Sequence, residues 1–333
     1  KTPFDPNIMR LCMIQNYAYF IALAEEGSIS KAAERLYVSH QGLSKYLKSL
    51  ENHYGVTLFN RKPKLSLTPA GQAVYEAARQ MQLLEENLET TLADYHDSDS
   101  GIFRFGATEG RFRILIPELL VEFQKKYPKV ELVTECANSN ELREMVLNNQ
   151  LDMMITASPP DGDPRLSSAL VMDEQLYLII SDNMLREYFP DQYPECKKEF
   201  QKGADLRDFC HVPFVLNQKG FSSRDMADAY AASHGFSLTC IREIVQADIH
   251  SMLSARDYGA SLCFSMFLPG VSAANSLGAE NSGLNIFPIA GFDTTNPVRL
   301  LYLKNKLLPG YGDYLVSLVK KICRPFMNPP LEI

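Results

Sequence analysis

The sequence predicts an α/β chain headed by a small all-helical winged helix-turn-helix, and three observations predict it. Apolar residues recur at helical spacing in three short segments between residues 17 and 50. From Thr68 to about Asp94 the chain carries Pro69 at its start, Gly71 soon after, and no other helix breaker. From residue 101 onward, short apolar runs alternate with helical periodicity. The 333 residues, 46% hydrophobic and 22% charged, are enough for two or three domains of about 100–200 residues each.

In the first segment Tyr17, Phe20, Ile21 and Leu23–Ala24 mark one helix face, which stops at Gly27. A second, two-turn helix opens at Ser28-Ile29-Ser30 and runs through Ala32, Ala33 and Leu36. Tyr37-Val38 is a tight connection, and Ser39 is the N-cap of a third helix carrying Leu43, Leu47 and Leu50. Two short helices joined by a short turn have the form of a helix-turn-helix, whose second helix lies in a major groove. Its outward positions are His40, Gln41, Ser44, Lys45 and Lys48, with Ser30 and Lys31 on the helix before it. Gln41 suits a bidentate contact with adenine; Lys45 and Lys48 reach phosphate or guanine. Gly42, costly inside a helix, fits either a close approach to DNA or tolerance near the first turn. Two short extended pieces, Val56–Phe59 and Leu65–Leu67, flank the basic turn Asn60–Lys64 and predict a wing presenting Arg61, Lys62 and Lys64.

Charge is distributed to match. The net charge is −7, yet residues 31–64 hold seven Lys/Arg against two acids, a local +5. Such an island is the footprint of a nucleic-acid contact or of a solvated charged face.

These residues resemble the LysR-type transcriptional regulators. Residues 24–36 (Ala-Glu-Glu-Gly-Ser-Ile-Ser-Lys-Ala-Ala-Glu-Arg-Leu), 38–45 (Val-Ser-His-Gln-Gly-Leu-Ser-Lys), Leu50-Glu51, 55–61 (Gly-Val-Thr-Leu-Phe-Asn-Arg) and 67–71 (Leu-Thr-Pro-Ala-Gly) match in order and spacing. His40 stands where many members carry Gln, and Gly42 where Ala, Thr or Ser is common. The resemblance implies a DNA-binding domain at 8–68 and a linker and dimerisation helix at 69–97. It implies an effector-binding domain at 101–333, built of two lobes like periplasmic binding proteins, lobe one about 101–174 and 269–333 and lobe two about 175–268. It also implies a dimer or tetramer that reads an interrupted inverted repeat in double-stranded promoter DNA.

The linker stripe of Val74, Ala78, Met81, Leu88, Leu92 and Tyr95 lacks a partner in the small head; a second copy or the chain's own later part would cover it. His96–Gly101 is a polar break and the clearest domain boundary.

Beyond it, strands are expected at Ile102–Phe105, Val130–Thr134, Met153–Ile155, Tyr177–Ile180, Phe214–Leu216, Ile241–Val245, Ser261–Phe264, Ile286–Pro288 and Val298–Leu303. Helices are expected around Phe112–Phe123, Glu141–Leu147, Ser222–Gly235, Asp248–Tyr258 and Tyr311–Arg324. The alternation predicts a mainly parallel sheet, with 190–209 an insertion. Ligands in such sheets sit past strand carboxyl ends, against helix N-termini. That places candidate effector residues at Thr108, Glu109, Gly110, Arg111, Ser139, Thr156, Ser222, Arg224, Asp248 and Phe264; the Ser and Thr among them are equally ordinary helix caps. Glu109, Arg111 and Arg224 point to a polar or charged small molecule.

No catalytic residue and no cofactor are expected: there is no nucleophile elbow, phosphate loop or HExxH. No metal is expected either, since the six histidines contain no ligand-spaced pair and the seven cysteines no Cys-x-x-Cys. Ser222 stands where the peroxide-sensing members of the family place a reactive Cys. The absence of a long apolar run or a leader-like opening predicts a cytoplasmic protein without a membrane partner. The competing readings are a solute-binding protein or α/β enzyme with an incidental helix-turn-helix, and a helix-turn-helix protein whose second half only oligomerises.

Overall fold

A computed structural model describes residues 17–62, 64–93, 100–157, 162–275 and 283–331. The described residues fall into two compact units, the first running through the helix that ends at Ala93 and taking in Lys306–Pro309, the second holding the rest.

The first unit opens with α1 (Tyr17–Glu26), α2 (Ile29–Arg35) and α3 (His40–Tyr54). Gly27 closes α1 at φ 55°, a left-handed conformation that suits Gly. Ser28 and Ser39 cap the next two helices, accepting from the N–H groups of Lys31 and Gly42. Phe20, Leu23, Ala32, Ala33, Leu43, Leu47, Leu58 and Phe59 form the core. Strands β1 (Phe59–Asn60) and β2 (Ser66–Leu67) pair antiparallel and make the wing.

Helix α4 (Pro69–Ala93) begins where expected, Thr68 Oγ1 accepting from Gly71 N at 3.0 Å. Gly71 is fixed by packing: a Cβ there would sit 2.0 Å from the Leu58 carbonyl oxygen. At about 1.5 Å per residue, its 25 residues extend about 38 Å. Val74 and the buried Ala78 lie near the head, whereas Met81, Leu84, Leu88 and Leu92 are exposed. Glu25 joins α1 to its neighbours, pairing with Arg35 of α2 and Arg79 of α4. Tyr95 and residues 96–99 of the predicted break at 96–101 lie outside the described residues; Ser100 and Gly101, expected in the break, instead open a strand.

The second unit contains two five-stranded sheets. The first, ordered β4-β3-β5-β12-β6, uses β3 (Ser100–Ala107), β4 (Lys129–Cys136), β5 (Met153–Thr156), β6 (Leu166–Glu174) and β12 (Asn296–Leu303). The second, ordered β11-β7-β10-β8-β9, uses β7 (Leu176–Ser181), β8 (Pro213–Leu216), β9 (Thr239–Glu243), β10 (Ala260–Phe264) and β11 (Leu284–Pro288). Helices α5 (Glu109–Lys126) and α6 (Ser139–Leu147) follow strands of the first sheet. The second has α7 (Asp182–Tyr188), α8 (Cys196–Phe200), α9 (Ser222–Ser233), α10 (Ala247–Ser254) and α11 (Leu268–Asn275); α12 (Gly310–Cys323) follows β12.

The structure refines or corrects several expectations. The sheets are mixed, not mainly parallel: β7, β11 and β12 enter by antiparallel pairing. The return to the first lobe comes after Pro288 rather than near 269, because β11 pairs with β7 and Leu268, Val271 and Ala274 of α11 share a core with Tyr177 and Ile286. The predicted insertion at 190–209 packs into the second lobe, Cys196, Phe200, Leu206 and Phe209 being buried in its core. On α5, Leu120 is exposed and Arg111 buried, the reverse of what polarity suggests.

Candidate nucleic-acid interface and effector site

On α3 the buried Leu43 and Leu47 face the head's core, leaving His40, Gln41, Lys45 and Lys48 exposed and Ser44 half-buried on the other side. Positions 41, 44, 45 and 48 form one helical face because three- and four-residue steps return to the same side. Ser39 caps this helix, and Gly42 gains a local reason: a Cβ would come 3.0 Å from the Ser39 hydroxyl. Ser30 and Lys31 are exposed on the first turn of α2, and Arg61, Lys62 and Lys64 are exposed on the wing.

The charge resolves into two groups. Arg35 is bound by Glu25 and Glu26, and Arg61 by Glu51 at 3.1 Å. Glu51 also accepts from the N–H groups of Leu58 and Phe59, so this one carboxylate ties the start of the wing to α3. The five lysines, 31, 45, 48, 62 and 64, are all exposed. A solvent-facing polar helix bracketed by exposed lysines is arranged to meet a polyanion.

In the second unit Thr108 and Phe221 are the N-cap positions of α5 and α9, and neither makes a side-chain cap bond. Ser222 opens α9, and Ser139 opens α6 beside Asn138, whose side-chain Oδ1 caps the helix by accepting from Asn140 N and Glu141 N. Thr156 is buried at the end of β5. Gly110 lies beneath Phe267, since a Cβ there would meet that ring at 2.9 Å.

The charged candidates are placed differently from expectation. Arg111 is buried and bonds Glu174 at 2.7 Å. Arg224 is likewise buried and held by Asp228 at 2.7 Å and Glu243 at 3.0 Å. Both guanidiniums are committed to carboxylates of the chain itself, Glu174 buried and Asp228 and Glu243 partly exposed, so the charge expected to meet a ligand is already paired. Glu109 pairs with Arg113 on its own helix, and Asp248 pairs with the same Arg113 at 3.0 Å. Phe264 is buried in the second lobe's core.

Arg113, Glu174 and Asn296 were missed. A signal for Glu174 existed: with Asp173 it forms an acidic pair beside the apolar run Leu176–Ile180, where an unpaired charge would be costly to bury. Burial pushes the Glu174 carboxyl above its ordinary range, opposed by the Arg111 charge. Burial also pushes the Cys263 and Cys323 thiols up to about 12, leaving them poor nucleophiles. The six described cysteines are free; Cys12 lies outside the described residues. Among the described residues no group of three or more His, Cys, Asp or Glu could hold a metal, and no helix is long and apolar enough to cross a membrane.

A winged helix-turn-helix head on a long helix, followed in the chain by a two-lobed α/β unit, defines a transcriptional regulator controlled by a small molecule. The chain belongs to the LysR family. Residues 14–72 match the family model described as bacterial regulatory helix-turn-helix protein, lysR family, and residues 96–320 match the LysR substrate binding domain. It is therefore a DNA-binding regulator with an effector-binding domain. Among curated relatives it is 27% identical over 240 residues to the regulator CysL of Bacillus subtilis, covering 70% of this chain and 76% of that one. It is 25% identical over 304 residues to the transcriptional activator CmpR of Synechocystis, covering 90% and 92%. Among solved structures, full-length OxyR from Pseudomonas aeruginosa has the same fold with a TM-score of 0.64 at 20% identity, covering 92% of this chain and 97% of that one. CbnR complexed with its target DNA gives 0.53 at 21% identity, covering 93% and 99%.

Proposed function

We propose that residues 8–68 read double-stranded promoter DNA, that 69–97 pair two copies, and that the domain from 101 onward answers to a small polar effector between its lobes. Gln41 and Ser44 face base edges; His40, Lys45 and Lys48 line the groove; Ser30, Lys31, Ser39, Arg61, Lys62 and Lys64 hold the backbone. The observation that carries this is the outward face of α3, polar and carrying the exposed Lys45 and Lys48, with Lys31, Lys62 and Lys64 exposed on α2 and the wing. Support also comes from CbnR, a protein of the same fold described in complex with its target DNA.

Two recognition helices held by a linker pair demand two half-sites related by a two-fold axis, an interrupted inverted repeat. The effector candidates are the uncapped helix starts at Thr108–Gly110 and Ser222, together with Ser139, Thr156 and Asp248. An effector alters the spacing of the heads only if it binds two lobe or subunit arrangements with different affinity, because equal affinity shifts nothing. The protein acts in the cytoplasm, as a regulator rather than an enzyme, and assembles further into a tetramer through its effector domains.

Selection from random duplexes tests this directly. A dyad-symmetric site, bound with a steep salt dependence, is expected. Enrichment of no sequence by the assembled oligomer in dilute buffer would refute the DNA-reading assignment.

A further inference from the structure

Only Gln175 separates β6 of the first sheet from β7 of the second, and the chain returns between Pro288 and Asn296. The two crossovers lie side by side, since Asn296 and Glu174 are strand partners where β12 meets β6. At this rung two side chains converge on one oxygen of a third: Glu174 Oε2 accepts from Arg111 Nη2 at 2.7 Å and from Asn296 Nδ2 at 2.8 Å. Glu174 is fully buried, and Arg111 and Asn296 nearly so. Arg111 belongs to the first turn of α5, the same turn that carries the candidate effector residues Glu109 and Gly110.

The second lobe closes over this cluster. The Phe267 ring lies 5.7 Å from the Arg111 guanidinium and against Gly110, and Ser265 N donates to the carbonyl of Gln175 at 2.9 Å. Three buried polar atoms here have no partner: Arg111 Nε, Glu174 Oε1 and, from the second lobe, Ser265 Oγ. Both lobes therefore contribute unpaired hydrogen-bonding capacity next to the two crossover segments. A cluster satisfied on one carboxylate oxygen and unsatisfied on the other holds the crossovers together while leaving a second bonding pattern available.

We propose that the Arg111–Glu174–Asn296 cluster is the hinge lock of the effector-binding unit, fastening both crossovers to the helix start that meets the effector. The lock couples α5 to the hinge: a shift at Thr108–Gly110 moves Arg111, and Arg111 is bonded to Glu174. Its regulatory meaning rests on the effector reading above, whereas its existence as a lock does not.

Hydrogen exchange on the full-length protein, comparing wild type with Glu174→Gln, separates the two. The variant keeps the side-chain shape and loses the charge. Peptides covering 172–177 and 294–299 are expected to exchange about tenfold faster, while those covering 103–107 and α3 keep wild-type rates. Unchanged exchange at both crossovers, or an equal rise throughout the first lobe, overturns the proposal; the second outcome marks a general loss of stability. Should Glu174→Gln fail to fold, Asn296→Ala removes one of the two bonds to the same oxygen. A rise of about threefold or more confined to those two segments supports the lock, and no change there overturns it. Binding of wild type to a selected duplex is measured separately and bears on the DNA reading alone.

Discussion

Arg113 of α5 and Asp248 of α10 lie 3.0 Å apart and join the first lobe to the second. Arg113 also binds Glu109, so one guanidinium bridges two candidate effector residues that lie 139 positions apart in the chain. Both partners of the bridge are largely exposed, at 62% and 46%, which limits its strength to well under 1 kcal/mol after screening. Asp248→Asn is expected to lower Tm by less than about 3 °C in dilute buffer. The difference should disappear at 0.5 M salt, where the Debye length is about 4 Å. A loss that persists in high salt would assign Asp248 a role other than this ion pair.

Two glycines invite opposite outcomes. Gly71→Ala drives a Cβ to within 2.0 Å of a backbone oxygen, which cannot yield without moving the wing, and should destabilise the head by about 3 kcal/mol. Gly42→Ala meets only the Ser39 hydroxyl at 3.0 Å and gains about 1 kcal/mol of helix propensity, so its melting should stay within about 3 °C of wild type. Calorimetry on both variants decides the matter. Equal losses would mean that the wing does not depend on the Gly71 contact.

Base reading and phosphate contact separate by salt. Lys48→Ala should weaken binding to all sequences and reduce the slope of log K against log salt by about 1. Gln41→Ala should leave that slope alone and relax the preferred base at one position of each half-site, a contact worth about 1–3 kcal/mol. If selection with Gln41→Ala returns the wild-type site, the base-reading face has been misassigned. Arg61 is a less clean probe, since its removal also releases the Glu51 carboxylate that orders the wing.

His250 provides a pH test of the second lobe. The ring is buried, Nε2 bonds the Ile244 carbonyl oxygen at 2.8 Å, and burial holds its pKa below the ordinary 6.5. The folded chain then binds fewer protons at this site than the unfolded chain once the pH falls below 6.5. Stability from this residue is complete above that pH and declines on acidification, by at most about 1.4 kcal/mol per pH unit. Glu174, raised by burial, tilts the opposite way, its cost falling as it protonates. Thermal melts between pH 5 and 8 should show wild type losing stability below 6.5 relative to His250→Asn. Parallel curves would mean that His250 is not the group responsible.

How much of this was legible beforehand depended on periodicity. The three head helices follow from spacing, because each buries one stripe, and the serine caps of α2 and α3 follow from residue type. Strand β6 was not legible: its buried pattern is irregular, with Ser167, Ser168 and Asp173 interrupting the apolar positions. Polarity also misled at Arg111, whose partner Glu174 lies 63 residues away and leaves no short-range signature, whereas Arg224 had a visible i,i+4 partner in Asp228 besides Glu243 19 residues on. Lobe membership of β11 is a matter of pairing, which no property of Leu284–Pro288 discloses. The basic face of α3 was legible because exposure there follows directly from helical geometry.

The linker helix supplies the test of assembly. Leu84 is 67% exposed and Leu88 57% exposed in the single chain. Replacing such residues by Glu in a protein that remained alone should cost within about 0.5 kcal/mol, since neither packs on anything that is lost. In a dimer built on α4, each Leu would leave an apolar interface worth about 1.5–3 kcal/mol per side chain, and the two copies of both substitutions together would abolish pairing at micromolar concentration. Light scattering of Leu84→Glu/Leu88→Glu is therefore expected to report monomers whose heads still melt cooperatively. These should bind single half-sites weakly and full inverted repeats no better. An intact oligomer with wild-type affinity for the full repeat would place the pairing surface elsewhere and leave the exposed stripe of α4 without its proposed occupant.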